Sequence, residues 1–268
     1  MPHSSAPTTG AAPADPALVH AIEQRCFNAW PARQAIAHGG WLFRLSGGFT
    51  KRANSINAAV PGAAFEGVRE AAEAVYAQHG LPAIFRMSPL APAAADTELT
   101  AAGYTVFDPS LVLWKPELPA EEVAAQVPAQ GITVDIAAAP TDAWLEGFAT
   151  ANGVAARHHA LHHAMVAAIA PPAAFATVRE WGLAIGFGLA VAEGGAVGFY
   201  DIVIAPDQRG RGHGRTLMEA LLRWGRSVGA HQAYLQVRAE NPAALRLYGA
   251  LGFGELYRYH YRVPPAHG

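Results

Sequence analysis

The segment YDIVIAPDQRGRGHGRTLMEALL, residues 200–222, constrains the chain more than any other. A run of β-branched residues ends at Pro206, a glycine-rich loop follows, and Leu217, Leu221, Trp224 and Val228 then recur at helical spacing. This predicts a strand, a tight loop and a helix from about 213 to 228. Gly210, Gly212 and Gly214 give the loop conformational freedom and let a ligand approach the backbone. The first amides of a helix lack intrahelical acceptors and sit at the positive end of its dipole, so the loop is suited to phosphate groups. Arg209, Arg211 and Arg215 add charge for further phosphates, and His213 lies among them. A Walker loop is excluded because no lysine follows the glycines. The dinucleotide fingerprint is excluded because it needs glycine at 215, where Arg215 stands.

Composition narrows the class. Of 268 residues, 51% are hydrophobic and 15% charged, which provides for a substantial core and excludes wholesale disorder. A net charge of −2 gives no bulk drive towards nucleic acid or an anionic membrane, although residues 208–262 are locally rich in arginine. No apolar stretch reads as a membrane span, and residues 1–14 read as a flexible small-residue tail without a secretory leader. The single cysteine, Cys26, cannot form an internal disulfide; a buried thiol in a helix and a cytoplasmic setting are expected.

Residues 117–131, rich in Ala, Pro and Glu, read as a linker between a first half (15–116) and a second (132–264). The second half predicts a strand at 133–137 and a helical stretch over 141–169. Three antiparallel strands follow over 173–206, with a turn at Glu193-Gly194-Gly195. After the glycine-rich loop and its helix come a strand at 233–237, a helix capped by Asn241 and a final strand. The first half echoes this order. Residues 70–88 parallel 219–237, and 97–115 parallel the last helix and strand, at offsets of 149 to 151 residues. Such a near-constant offset indicates an internal repeat.

Arg209-Gly210-Arg211-Gly212-His213-Gly214, following Ile202-Val203-Ile204-Ala205-Pro206, resembles the acyl-CoA loop of the GNAT N-acetyltransferases. Glu240-Asn241 and the following PAALRLYGALGF resemble that superfamily's second motif, N-x-x-A-x-x-L-Y-x-x-x-G-F. The resemblance covers about 132–263, and more weakly the whole chain, which is similar to bacterial tandem proteins with a degenerate first repeat. It implies an α+β fold with a central mixed, mostly antiparallel sheet flanked by helices, in two GNAT-like repeats. It also implies acetyl-CoA as co-substrate: the loop amides would grip its diphosphate, Ile202, Val203 and Ile204 would lie on a splayed strand beside pantetheine, and Asn241 would contact the chain. Tyr248 matches the superfamily's usual acid for the leaving thiolate, and Asp201 is the first candidate for the base. Tyr200 and Glu193 are weaker alternatives.

The repeat offset puts Leu99 where Tyr248 stands, and residues 60–67 lack the arginines and the glycine triplet. The first repeat is therefore expected to scaffold or to recognise the acceptor. Lys51, Arg52, Asn54, Ser55 and Asn57 crowd polar groups into what reads as a strand. Arg52, Asn54 and Asn57 are candidate acceptor contacts, together with Tyr200 and His159. His158, His159, His162 and His163 have i, i+4 spacing compatible with zinc, but no carboxylate completes a motif and no metal is expected. The expected activity is acetyl transfer to a small primary amine. Alternatives are transfer to a protein lysine or N-terminus, or a non-catalytic acyl-CoA-binding regulator. No nucleic acid or membrane partner is expected, and the residues assign no oligomeric state.

Overall fold

Successive β-branched and aromatic runs, punctuated by glycine turns and helical spacings, produce eighteen α and β elements in the computed structural model, which describes residues 14–118 and 130–265. The first half contains α1 (Pro16–Ala29), β1 (Gln34–His38), β2 (Trp41–Leu45), β3 (Ile56–Ala58), α2 (Val68–Gln78), β4 (Phe85–Met87), α3 (Ala93–Ala101) and β5 (Thr105–Lys115). The second contains β6 (Ile132–Ala137), α4 (Asp142–Asn152), α5 (His159–Ala167), β7 (Ala173–Glu180), β8 (Leu183–Glu193), β9 (Ala196–Ile204), α6 (His213–Ser227), β10 (Gln232–Arg238), α7 (Pro242–Ala250) and β11 (Gly254–Val263). Residues 1–13 of the expected tail and 119–129 of the expected linker lie outside the described residues. Among the described residues, no helix is long and apolar enough to cross a membrane.

All eleven strands join in one sheet, ordered β1-β2-β3-β4-β11-β5-β10-β9-β8-β7-β6. Pairing is antiparallel except at β3–β4 and β9–β10. The centre is interleaved. β11, from the end of the chain, pairs with both β4 and β5, and β5 pairs with β10 of the second half. The strand order of one half mirrors that of the other, and the halves exchange their last strands and share one sheet.

Two expected elements change shape. The helical stretch over 141–169 breaks where Gly153 adopts φ +65 as the C-cap of α4, and a short 3-10 turn precedes α5. The polar run from Lys51 is a 3-10 turn over Lys51–Ala53, and only Ile56–Ala58 is strand. In α6, Leu217 and Leu221 are buried, while Val228 falls past the helix end and is exposed.

Two apolar clusters cover the sheet. One joins α1, α4 and α5 to Phe187, Leu189, Tyr200, Val203 and Tyr234, and continues through the first half. The other packs α6 and α7 against Leu111, Leu113, Val197, Phe199 and Leu235. Within the first cluster, Glu23 of α1 is fully buried, pairs with Arg86 of β4 and accepts a hydrogen bond from Tyr257 of β11. The Arg86 guanidinium lies 3.8 Å from the Tyr259 ring centroid. This contact ties α1 to β4 and to the exchanged strand β11 at the centre of the sheet. Arg86→Met leaves a buried carboxylate without its counter-ion and is expected to cost about 3–5 kcal/mol. Urea unfolding checks this, with the double variant Glu23→Gln/Arg86→Met expected to recover much of the loss.

Candidate active site

The parallel ladder between β9 and β10 runs from Ala196↔Gln232 to Phe199↔Leu235 and stops. Beyond it the strands part: Tyr200–Ile204 remain bonded to β8 on one side and face a gap on the other, while β10 continues to Arg238 against β5. A β-bulge accompanies the parting. Leu189 pairs with Tyr200 and Phe187 with Val203, so Gly188 faces two residues, and Asp201 takes φ +49. The bulge turns successive side chains to one face. Tyr200 packs in the first cluster and Asp201 reaches α5, whereas Ile202 and Ile204 pack on the α6 side. A regular pleat would have sent Asp201 to the α6 side with Phe199.

At the far end of the gap, Gly210 (φ +76) and Gly212 (φ +87) shape the loop, and Gly212 is the N-cap of α6. A Cβ on either would meet no atom within 4 Å. The amides of residues 209–214 donate to no acceptor among the described residues, which leaves a set of donors at a helix N-terminus. Gly214 serves a different purpose from the one its sequence context suggests. Its φ is ordinary, but an added Cβ would lie 3.3 Å from Leu247, so it lets α7 approach the start of α6. Arg209 closes the loop by donating from Nε to the Ile204 carbonyl at 3.0 Å. Arg211 is held by Glu180 at 2.7 and 3.2 Å and Arg215 by Glu219 at 2.8 Å. Such exposed pairs are worth ~0–1 kcal/mol, so exchanging their partners for a phosphate costs little. The side chain of His213 is buried.

Tyr248 lies buried on α7 in the second cluster, and burial pushes its phenol up to about 12. Asn241 accepts from the Ala244 amide at 3.1 Å and so caps α7. On the opposite face, Asp201 Oδ2 lies 2.8 Å from His162 Nε2. His162 is only 1% exposed, and the rings of Trp30, Phe49, Trp144 and Phe148 lie around it at 4.8–6.2 Å. His162, not His159, is therefore the histidine at Asp201; His159 bonds the Val154 carbonyl at 3.0 Å. A sequence signal existed: His162 shares the buried face of α5 with Met165 and Val166, at i+3 and i+4. Among the described residues, no three His, Cys, Asp or Glu side chains converge in a metal-binding group.

The two weaker candidates are placed differently from Asp201. The Tyr200 hydroxyl donates to Tyr234 at 3.0 Å, and burial raises its phenol well above the usual range. Glu193 sits at the β8–β9 turn, at the other end of β9, where it accepts from Asn28. Cys26 is buried, as expected, and its thiol is pushed up to about 11 by burial; it accepts from Gln236, which in turn accepts from Tyr259.

The first half supplies one wall beside the gap. Thr50, Lys51, Arg52 and Asp108, together with Arg238, Tyr259 and Tyr261 of the second half, line a cleft of about 220 Å³. Asn54 does not line it: buried, its side chain accepts from the amides of Ser46 and Gly48 and donates to the Thr50 carbonyl. Asn57 is likewise buried and donates to Ser55. Both hold the loop that presents Arg52. Arg44 does the same from below, its buried guanidinium donating to the carbonyls of Phe27, Trp30 and Arg52. In the first repeat the corresponding gap is closed: β3 and β4 pair directly, and the Gly62 amide donates to the Leu90 carbonyl, bridging the loops beyond them.

The matches with known proteins agree with this geometry. A family model described as "Probable histone acetyltransferase Rv0428c C-terminal" matches residues 17–262. YobR of Bacillus subtilis, named an uncharacterized N-acetyltransferase, is 28% identical over 247 residues, covering 91% of this chain and 98% of that protein. A GCN5-related N-acetyltransferase from Kribbella flavida superposes with a TM-score of 0.69 at 17% identity, over 93% of this chain and 96% of that one. A tandem GNAT protein from the clavulanic acid biosynthesis pathway gives 0.61 at 17% identity, over 80% and 76%; these two likenesses show the fold. With the family model spanning nearly all the described residues, the chain belongs to the family of the probable histone acetyltransferase Rv0428c C-terminal region and is an N-acetyltransferase of the GNAT superfamily.

Proposed function

We propose that this enzyme transfers an acetyl group directly from acetyl-CoA to a primary amine of a small molecule. The observation that carries this reading is the gap between β9 and β10, which leads at one end to the unpartnered loop amides and is flanked on opposite faces by Tyr248 and Asp201. The residues present fit the co-substrate. The free edge of Tyr200–Ile204 can pair with an extended amide-bearing chain as a strand would, and the amides of 209–214 with the α6 dipole suit a diphosphate. Acetyl-CoA supplies an acetyl thioester whose carbonyl carbon accepts the amine nitrogen, the C–N bond forming as the C–S bond breaks.

The chain's own groups handle orientation and protons. A β9 amide facing the gap donates to the thioester oxygen; a donor of this kind is typically worth ~3–4 kcal/mol of transition-state stabilisation. Asp201 takes a proton from the attacking amine, directly or through a water, and His162 holds its carboxylate. Tyr248 gives its proton to the departing sulfur and is reprotonated from solvent. With its phenol pushed up to about 12, Tyr248 remains a proton donor throughout neutral and mildly alkaline solution. The small volume of the cleft between the two halves, about 220 Å³, and a lining of three cations against the single carboxylate Asp108 favour a small acceptor over a protein lysine.

Tyr248→Phe is expected to bind acetyl-CoA normally and to lower kcat about 10²–10³-fold, read by thiol release. Unchanged turnover removes Tyr248 as the acid. Asp201→Asn keeps an acceptor for His162 but no base, and kcat/KM is expected to fall by about 10²-fold or more. Gly212→Val strains a position at φ +87 and puts a branched side chain into the open phosphate path. Calorimetry is expected to show loss of acetyl-CoA binding while thermal unfolding shows a folded protein.

A further inference from the structure

Resting on the reading of the cleft as the acceptor site, we infer that the amine accepted here carries an acidic group, a carboxylate or a phosphate, held by Arg52. The cleft is lined by three cations, Lys51, Arg52 and Arg238, and one carboxylate, Asp108. Asp108 is already shared, its Oδ2 lying 3.3 Å from Lys51 and its Oδ1 2.6 Å from Arg238. Arg52 has no carboxylate partner among the described residues. Its guanidinium lies 4.8 Å from the Trp30 ring centroid and 5.9 Å from that of Tyr200. Stacking on rings fixes the plane of a guanidinium and leaves its edge of N–H donors for a planar or tetrahedral oxyanion.

The placement relates this cation to the reacting end of the acceptor. Tyr200, under Arg52, immediately precedes Asp201, and the bulge keeps both side chains on the same face. An acid bound at Arg52 therefore brings an amine only a few bonds away towards Asp201. The volume of about 220 Å³ suits such a compact molecule; at ~30 Å³ per water it is roughly seven waters' worth. A polyamine, or a lysine in a basic tail, would meet the excess positive charge with nothing to offset it.

The test begins with calorimetry of the full chain with acetyl-CoA, which stands or falls with the proposed function alone. Given binding, thiol release is followed for matched amines: α-amino acids and glycyl dipeptides against their carboxamides, O-phosphoethanolamine against ethanolamine, and spermidine. The acid-bearing member of a pair is expected to have a kcat/KM about 10–100-fold higher, as charge-assisted contacts imply. The carboxylate and phosphate arms show which acid is taken. In Arg52→Met the ratio is expected to collapse towards one through KM, with partial recovery in Arg52→Lys. The inference is overturned if acetyl-CoA binds and the neutral amines or spermidine turn over as well as the acids. It is equally overturned if no acid-bearing amine is acetylated, or if the ratio survives in Arg52→Met.

Discussion

Everything at this site depends on two parallel strands that stop bonding to each other after Phe199 and Leu235. A strand edge inside a sheet carries donors and acceptors that must be paired. Those of Tyr200–Ile204 in β9 have no strand partner on the β10 side. The bulge at Asp201 sustains that opening and has its own cost, since a non-glycine residue at φ +49 carries about 1–3 kcal/mol of strain. It also turns the Asp201 side chain, which a regular pleat would send to the α6 face, towards His162 of α5. Strain, gap and carboxylate orientation are thus one local feature.

The first half shows what happens without that feature. Its parallel pair, β3–β4, is short and is bridged beyond its end by the Gly62–Leu90 hydrogen bond. Leu99, at the repeat position of Tyr248, is fully buried. This half supplies instead Trp30, the Phe49 to Arg52 loop and the α1 helix that docks on the β8–β9 turn through Arg25 and Asn28. Its polar residues divide by role: Asn54, Asn57 and Arg44 are spent holding backbone, and Lys51 and Arg52 reach the cleft.

Much of this was legible in residues 200–253, because local constraints dominate there. Glycines at positive φ, a helix start and β-branched alternation each leave a one-dimensional signature, and the loop, α6, α7 and the β8–β9 turn fall where the pattern puts them. Two features left no such trace, and a third left only a faint one. The exchange of β5 and β11 is a choice between equivalent partners far apart in sequence. The bulge depends on Gly188 facing two residues across a strand pair. The choice of His162 over His159 needed the inward face of α5, which becomes evident only once Gly153 has separated that helix from α4. The histidine spacing alone marked a cluster without saying which member was turned inward.

The exchanged strands also bear on how the chain can be made. β4 and β5 do not touch each other; β11 lies between them and pairs with both. As synthesis proceeds, the first half emerges with two unsatisfied strand edges, and they stay so until residues 254–263 have left the ribosome. Such long-range closure is slow and keeps sticky edges exposed. The last ten residues of the sheet are therefore the keystone of the first half as much as the end of the second. Cutting the chain in the middle would yield two fragments, each lacking a strand that only the other can supply.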